Sequence, residues 1–131
     1  GSVSAAADRL GGEAHEETFW AALRDHALPF FADPRPLWRL SLPLGTGLVA
    51  FPGEVVIDWA GAQVWLKSDA GEETIRHIAH ASRGYATCCT PGIASEPFHP
   101  MPDGLLQLHR NLKQQLDPRG ILNPGRMAAT L

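Results

Sequence analysis

The sequence is poor in cysteine, in positive charge and in long apolar runs, and each shortage excludes a class of protein. No apolar run approaches the ~20 residues that a membrane-spanning helix needs. Eleven lysines and arginines against fourteen acidic residues leave a net charge of −3, so the chain has no general basic surface for nucleic acid. With 131 residues, 44% of them hydrophobic, it is instead typical of a folded domain with its own core.

The two cysteines are adjacent, at positions 88 and 89. Neighbouring side chains of a strand point to opposite faces, so a disulfide between Cys88 and Cys89 is unfavourable. We interpret both as buried structural thiols, which fits a reducing compartment. The first residues also lack the charged and apolar regions of a signal peptide, and we therefore expect a cytoplasmic protein.

Motifs of the common catalytic centres are also missing. His77 and His80 stand three residues apart, but no glutamate and no third ligand accompany them as in zinc enzymes, so no metal site is predicted. The sequence has no G-x-S-x-G motif, and "GTG" at 45–47 is too short for a phosphate-binding loop. A hydrolase, a metalloenzyme and a Rossmann dinucleotide-binding protein are all disfavoured.

Local patterns predict alternating helices and strands from residue 13 onward. Residues 1–12 are small and polar and are interpreted as a flexible lead-in or the remnant of a linker, which places the folded domain at 13–131. Helices are predicted at 13–27, 69–84 and 105–116, and strands at 37–42, 55–59, 63–67 and 85–90. A short strand at 48–51 is left open.

This order of elements indicates an α+β fold. We expect an antiparallel sheet with helices packed mainly on one face, close to the ferredoxin-like arrangement. Asp69 and Glu72 are predicted to form a capping box at the start of the second helix. Trp38, Trp59 and Trp65 fall in predicted strands, where packing in the core is the usual role of tryptophan.

The stretch "LDPRGILNPGRM" at 116–127 is unusually restricted for a segment so near a chain end. Asp117 and Pro118 are predicted to end the last helix, residues 118–120 to form a turn, and residues 123–125 to form a second tight turn. Arg126 adds a planar cation suited to phosphate or carboxylate. A docked chain end and a ligand-binding segment fit this composition equally well.

The string "LHRNLKQQLDPRGILNPGRM" resembles the C-terminal signature of FAD-linked oxidases of the vanillyl-alcohol oxidase type. Chains of that family end in a helix followed by L-D-P-x-G-[IL]-[LFM]-N-P-G-[KR]. Upstream, "LWRLSLP", "WAGAQVWLKS" and "FHPMPDGLLQLHRNLK" are similar to the FAD-binding subunits of bacterial glycolate oxidases. The likeness covers residues 17–127.

The resemblance implies that the chain is the C-terminal α+β cap of a flavoprotein whose FAD-binding N-terminal domain is absent. It implies oxidation of a 2-hydroxy acid such as glycolate to the 2-oxo acid, with FAD in the full-length protein and not on this fragment, which is expected to be inactive alone. The implied partners are the protein's own N-terminal domain, a second flavin subunit and an iron-sulfur subunit. Attachment to the inner membrane through those subunits is an option.

The resemblance also implies which residues lie near the flavin, namely Asn123, Pro124, Gly125 and Arg126. Among the cations, Arg39 and Arg126 are suited to a substrate carboxylate or a phosphate. His109 is a candidate acid or base, although a histidine beside the leucine row of a helix is more often part of a core. An alternative from another class is a non-catalytic, ferredoxin-like regulatory or assembly module that binds a protein partner.

Overall fold

The computed structural model describes residues 3–11 and 17–128, which divide into two compact units between Asp33 and Pro34. The first unit contains helix α1 (Val3–Leu10), helix α2 (Glu17–Arg24) and a 3-10 turn at Pro29–Ala32. The predicted lead-in therefore contains a helix, and the helix predicted at 13–27 is found as α2, with residues 12–16 outside the described part. The division at residue 12 stays a prediction, because a short helix does not show whether the segment is flexible.

The second unit contains a four-stranded sheet and two helices. Its elements are β1 (Leu37–Ser41), β2 (Glu54–Asp58), β3 (Gln63–Lys67), α3 (Glu72–Ala81), β4 (Tyr85–Cys88) and α4 (Asp103–Leu116). The strand order is β2-β3-β1-β4, and each neighbouring pair is antiparallel. The predicted α+β class and the predicted hairpin of β2 and β3 are confirmed.

This strand order is that of the ferredoxin-like fold, in which two β-α-β units share one antiparallel sheet. The second crossover, from β3 through α3 to β4, is complete. The first crossover differs, because residues 42–53 connect β1 to β2 without a helix. The strand left open at 48–51 does not form, and proline and glycine in this connection fit an irregular path.

The hydrophobic core lies between α3 and one face of the sheet. Trp38 and Leu40 of β1 and Leu66 of β3 are fully buried there, together with Ile75 and Ala79 of α3. Exposed residues alternate with the buried ones along β1, as expected for a strand with one covered face. Core packing is confirmed for Trp38. Of the two predicted buried thiols, Cys88 is buried and Cys89 is exposed.

The opposite face of the sheet carries polar and aromatic side chains. Arg39 stands between its cross-strand partners Trp65 and Thr87, so all three side chains share this face. Within residues 34–128, no helix packs broadly against it. The core prediction is wrong for Trp59, which lies in the 3-10 turn between β2 and β3 and is 69% exposed.

Glu72 holds a distant segment rather than capping its own helix. Helix α3 begins at Glu72 with Gly71 as N-cap and no side-chain capping bond, so the predicted capping box with Asp69 is wrong. The Glu72 carboxylate instead accepts hydrogen bonds from the backbone N–H (2.9 Å) and the hydroxyl (2.8 Å) of Ser95. The sequence separation of 23 residues explains why a local pattern could not reveal this contact.

Further bonds fasten residues 95–98 beside β4. The Arg76 guanidinium of α3 donates to the Phe98 carbonyl at 2.7 Å and to the Glu96 carbonyl. The Cys88 N–H of β4 donates to the Pro97 carbonyl at 2.7 Å. The connection from β4 to α4 is therefore anchored on β4 and α3.

Candidate functional site

Helix α4 presents a row of leucines that the second unit does not cover. Leu105, Leu108, Leu112 and Leu116 recur on one face of the helix and are between 39% and 72% exposed. No strand of the sheet packs broadly against α4 within the described residues. An apolar stripe of this length is unusual on the surface of a helix that acts alone, and it marks a surface that contacts something else.

Two tight turns direct the segment after α4. The Gly120 N–H donates to the Asp117 carbonyl at 2.9 Å, which closes a turn with Pro118 in its second position, and Gly120 has φ 63°. The Arg126 N–H donates to the Asn123 carbonyl at 3.3 Å, which closes a second turn over residues 123–126. Both turns predicted from the sequence are confirmed.

The second turn has the composition of a type II turn. Pro124 occupies its second position and Gly125 its third, where the backbone takes φ 68°, a conformation that glycine adopts without strain. Asn123 itself has φ 45°, which asparagine tolerates better than most residues. The turn places Asn123 and Arg126 at its two ends, with their side chains available for a ligand.

Asp117 joins the end of α4 to the following segment. Its carboxylate lies 2.8 Å from the Lys113 Nζ and accepts hydrogen bonds from the backbone N–H groups of Ile121 (3.1 Å) and Leu122 (2.8 Å). Lys113 also donates to the Leu122 carbonyl. The hydrogen bond from Lys113, followed by those from the backbone, lowers the pKa of Asp117 to about 2. Asp117 is therefore ionised and holds residues 121–122 against the helix at neutral pH.

Residues 117–128, which follow α4, are called the tail from here on. Helix α4 and the tail together enclose a groove of about 680 Å³. Leucine side chains form much of it, and cationic and amide groups lie among them. The lining residues are Phe98, His109, Leu112, Lys113, Leu116, Asp117, Leu122, Asn123, Arg126 and Met127. Three of the residues named from the sequence, His109, Asn123 and Arg126, are thus brought together, while Pro124 and Gly125 form the turn that positions two of them.

Arg39 lies elsewhere, on the exposed face of β1 and outside the groove lining. Its cross-strand partner Thr87 lines a second, smaller cavity of about 200 Å³, whose lining does not include Arg39. Phe98 and Met127 line both cavities and so form the boundary between them. The groove and the polar face of the sheet are therefore neighbouring parts of one surface.

Several residues of this surface were not predicted. Lys113 and Asp117 order the tail, while Phe98 and Met127 separate the two cavities. The i, i+4 spacing of a lysine and an aspartate at the end of a helix is a local signal that could have revealed the first pair. The second pair is brought together by the fold from positions 29 residues apart, and local sequence offers no signal for it.

The described residues contain no group of three or more histidine, cysteine, aspartate or glutamate side chains arranged to hold a metal ion. Among the same residues, every helix is too short or too polar to span a lipid bilayer. The groove lining combines apolar side chains with the cations of Lys113 and Arg126 and the amide of Asn123. Such a surface is suited to a large, partly apolar and partly anionic ligand.

Comparison with known proteins shows what this surface is similar to. Residues 96–127, which include α4 and the ordered tail, match the C-terminal domain of FAD linked oxidases. Over all 131 residues the chain is 48% identical to glycolate oxidase subunit GlcE of Escherichia coli (strain K12). The resemblance inferred from the sequence is thereby confirmed.

The match to GlcE includes 100% of this chain but only 37% of the relative. The chain therefore spans little more than a third of the length of the curated relative it matches. No solved structure matches the chain.

Proposed function

We propose that this chain is the C-terminal cap of an FAD-dependent oxidoreductase and that its tail groove lies against FAD held by an N-terminal domain of the same protein. The observation that carries the proposal is the fixed tail: Asp117 and two tight turns hold Asn123 and Arg126 at the rim of an apolar groove. A preformed wall lowers the ordering cost of binding a cofactor. The match of this same segment to FAD linked oxidases supports the choice of ligand.

The leucine row of α4 is proposed to dock on that FAD-binding domain. Four exposed leucines on one helix face require an apolar partner, and 63% of the relative's length has no counterpart in this chain. The charge of α4 and the tail also supports their position beside FAD. Residues 103–128 contain four arginines and lysines but two aspartates, whereas the chain as a whole is acidic. FAD carries a pyrophosphate, which favours a cationic neighbour.

Arg126 and Asn123 are proposed to contact polar groups of the cofactor at the end of the groove. A guanidinium suits a phosphate or carboxylate, and an amide side chain both donates and accepts hydrogen bonds. His109 lies half-buried in the same groove, where an acid or base could act. When bound, FAD supplies the acceptor for the two electrons that an alcohol loses on oxidation.

The proposed substrate is a 2-hydroxy acid such as glycolate, oxidised to the 2-oxo acid. The support is the 48% identity to a glycolate oxidase subunit and the presence of Arg39 on the sheet face that adjoins the groove. Arg39 would bind the carboxylate of the substrate and so orient its hydroxyl-bearing carbon. We further propose a second flavin subunit and an iron-sulfur subunit as partners, a cytoplasmic location with attachment to the inner membrane through them, and no activity for this chain alone.

Docking is tested by mixing the chain with its separately produced FAD-binding domain and FAD, followed by gel filtration with absorbance detection of flavin. We expect a 1:1 complex that retains FAD, whereas the chain alone retains none. Leu108→Glu and Leu112→Glu should abolish the complex. Leu48→Glu is the matched control, because Leu48 is almost fully exposed on the 42–53 connection. Equal complex formation by all variants, or stoichiometric FAD on the chain alone, would contradict the proposal.

The role of Arg126 is tested in the same complex by Arg126→Gln, with Arg119→Gln as its control. Both arginines lie in the tail, but only Arg126 lines the groove. Loss of a charge-assisted hydrogen bond should weaken FAD binding by about tenfold in R126Q. If R126Q binds FAD with wild-type affinity, Arg126 does not contact the cofactor. Stable binding of a flavin-unrelated protein at the leucine row would instead favour the regulatory-module alternative.

A further inference from the structure

The two edges of the sheet differ in how their backbone groups are bonded. At the β4 edge, the Cys88 N–H donates to the Pro97 carbonyl at 2.7 Å, and the Ala86 N–H donates to Nδ1 of His99 at 3.3 Å. Residues 97–99 therefore close this edge in the place of a further strand. The other edge is formed by β2, whose one neighbour among the described strands is β3.

The hydrogen bonds at the two ends of β3 show which of its backbone groups point to which neighbour. The Ser68 N–H donates to the Pro36 carbonyl at 3.1 Å. At the other end, the Leu42 N–H donates to the Ala62 carbonyl at 2.8 Å. Even-numbered residues along β3 thus direct their backbone groups toward β1, and odd-numbered residues direct theirs toward β2.

Val55 and Ile57 carry the open backbone groups of β2. The odd-numbered residues of β3 are the register partners of residues 54, 56 and 58, so the N–H and C=O of the two residues between them point away from the sheet. No residue within 3–11 and 17–128 bonds these outward groups. Strand β2 also contains no lysine and no proline, with which many proteins block such an edge.

Apolar side chains accompany the open edge. Val55 and Ile57 are the cross-strand partners of Leu66 and Val64, so they share the face of the sheet that forms the core. The helix that would cover them in a complete ferredoxin-like fold is missing, and both are exposed. Trp59 follows directly after β2, and the three side chains are between 39% and 69% exposed. Such a row marks a surface that contacts another molecule.

The backbone at Trp59 is strained. Trp59 and Ala60 have φ 51° and 53°, in the left-handed region that bulky side chains seldom adopt. The Asp58 carboxylate accepts the Trp59 N–H at 2.7 Å and supports this conformation. Strained residues of this kind are concentrated at functional sites. The fold thus holds an exposed tryptophan at the end of the open edge.

The charges at the ends of β2 define the sequence that fits it. Glu54 is paired with Arg35 at 2.8 Å, whereas no cation of the described residues pairs with Asp58. An added antiparallel strand places one residue opposite Asp58, where a lysine or arginine is favoured. A second copy of this chain, paired about Val56, would instead place the carboxylate of Glu54 there. The edge therefore favours a different chain over self-pairing.

We propose that the β2 edge binds an extended segment of a partner subunit, which adds an antiparallel strand to the sheet. Its sequence has the order cation, apolar, any residue, apolar, so that the cation meets Asp58 and the apolar residues meet Ile57 and Val55. Strand addition rests on the edge alone. The choice of a separate subunit rests on the proposed docking of the FAD-binding domain at α4, because α4 follows the segment that closes the opposite edge.

The proposal is tested by titrating this chain with the peptide acetyl-GKVTVTG-amide, followed by nuclear magnetic resonance. The lysine and the two valines of the peptide match Asp58, Ile57 and Val55. A strand this short binds weakly, with a dissociation constant on the order of 1 mM. We expect the amides of Val55 and Ile57 to shift most strongly and to exchange more slowly. Shifts confined to α4, or no shift at about 10 mM peptide, would overturn the proposal.

Modified peptides separate strand addition from apolar adhesion. N-methylation of both valines should abolish binding, because their N–H groups donate to the edge, whereas N-methylation of the threonine between them should have little effect. Glutamate in place of the lysine should weaken binding about threefold to fivefold. Equal binding by the two N-methylated peptides would show that no strand is added.

A variant of the chain provides the complementary test. Ile57→Lys should weaken peptide binding by about tenfold, because a lysine blocks the edge. Leu48→Lys is the matched control, since Leu48 is an exposed apolar residue away from β2. If Ile57→Lys fails to fold, the N-methylated peptides decide the question on the wild-type chain.

Two further measurements identify the occupant. Protection of the Val55 and Ile57 amides that rises with the concentration of the chain alone would show a second copy at the edge. Protection in the complex with the FAD-binding domain, without peptide, would show that this domain occupies it. Either result would contradict a separate subunit; we expect both amides to exchange freely in that complex. Because the titration contains no FAD, its failure leaves cofactor docking untouched, and failed docking leaves peptide binding intact.

Discussion

Lys113 and Asp117 stand one helical turn apart at the end of α4, and the Nζ of the lysine lies 2.8 Å from Oδ2 of the aspartate. The same carboxylate accepts the backbone N–H groups of residues 121 and 122. The last turn of the helix and the first part of the tail thus share one charged centre. Since the turns on both sides are restricted by proline and glycine, the groove has a defined wall before any ligand binds.

Removing the negative charge of Asp117 should weaken the hydrogen bonds that hold residues 121 and 122 against α4. In Asp117→Asn we expect amide hydrogen exchange of Ile121 and Leu122 to accelerate by about tenfold, because hydrogen bonds to an ionised acceptor are stronger than those to an amide. Exchange is measured residue by residue with nuclear magnetic resonance. Asp103→Asn, at the other end of the same helix, should leave both amides unchanged. Equal exchange in D117N and the wild type would show that the carboxylate does not hold the tail.

Acid should release the tail within a defined pH range. The pKa of Asp117 is lowered to about 2 from its ordinary value of 3.8, so the folded chain favours the ionised form. The resulting stabilisation is complete above the ordinary value and is lost as the pH falls through about 2. The amide shift of Leu122 should therefore be constant from pH 7 to about 4 and then change with a midpoint near pH 2. A transition above pH 5 would show that another group controls the tail.

Loss of the Glu72 carboxylate should affect the Ser95 amide through their direct contact, and not through a change in helix α3. Hydrogen bonds from Ser95 are the main cause that lowers the pKa of Glu72, which shows that they favour the ionised carboxylate. Glu72→Gln should increase exchange of the Ser95 amide several-fold, while Glu73→Gln, an exposed neighbour in the same helical turn, should not. If both variants behave alike, the effect comes from the helix terminus and not from this contact.

Core and surface leucines should differ sharply in their effect on stability. Leu66→Ala creates a cavity in the sheet core and should lower the free energy of unfolding by about 2–5 kcal/mol, measured by urea titration. Leu108→Ala, on the exposed row of α4, should change it by no more than about 0.5 kcal/mol. A large loss in L108A would mean that α4 is packed within this chain rather than kept for docking.

Local sequence signals were sufficient to predict the β2–β3 hairpin, the antiparallel sheet and the two turns of the tail. Each of these depends on residues within a few positions of one another, such as Pro124 and Gly125 in the second turn. The row of leucines likewise predicted α4 from its spacing alone. Their exposure could not be predicted, because periodicity reveals that a helix has an apolar face but not what covers it.

Contacts between distant positions were missed or misassigned. The local pattern predicts a capping box for Glu72, although its partner is Ser95, and no local pattern indicates the bond between His99 and Ala86. Phe98 and Met127 line the same cavities because the 95–98 segment is fastened beside β4 and the tail turns back on α4. These relationships arise from the topology of the sheet, which places sequence-distant residues together.

The most direct test of the account is hydrogen exchange of the tail in the complex of this chain with its FAD-binding domain, with and without FAD. The central claim is that residues 122–126 form one wall of the flavin site. We expect FAD to slow exchange at the amides of Leu122, Asn123 and Arg126, with the exposed connection at 42–53 as an internal control that does not change. Tail exchange that is identical with and without FAD, in a complex that has bound the cofactor, would contradict the claim.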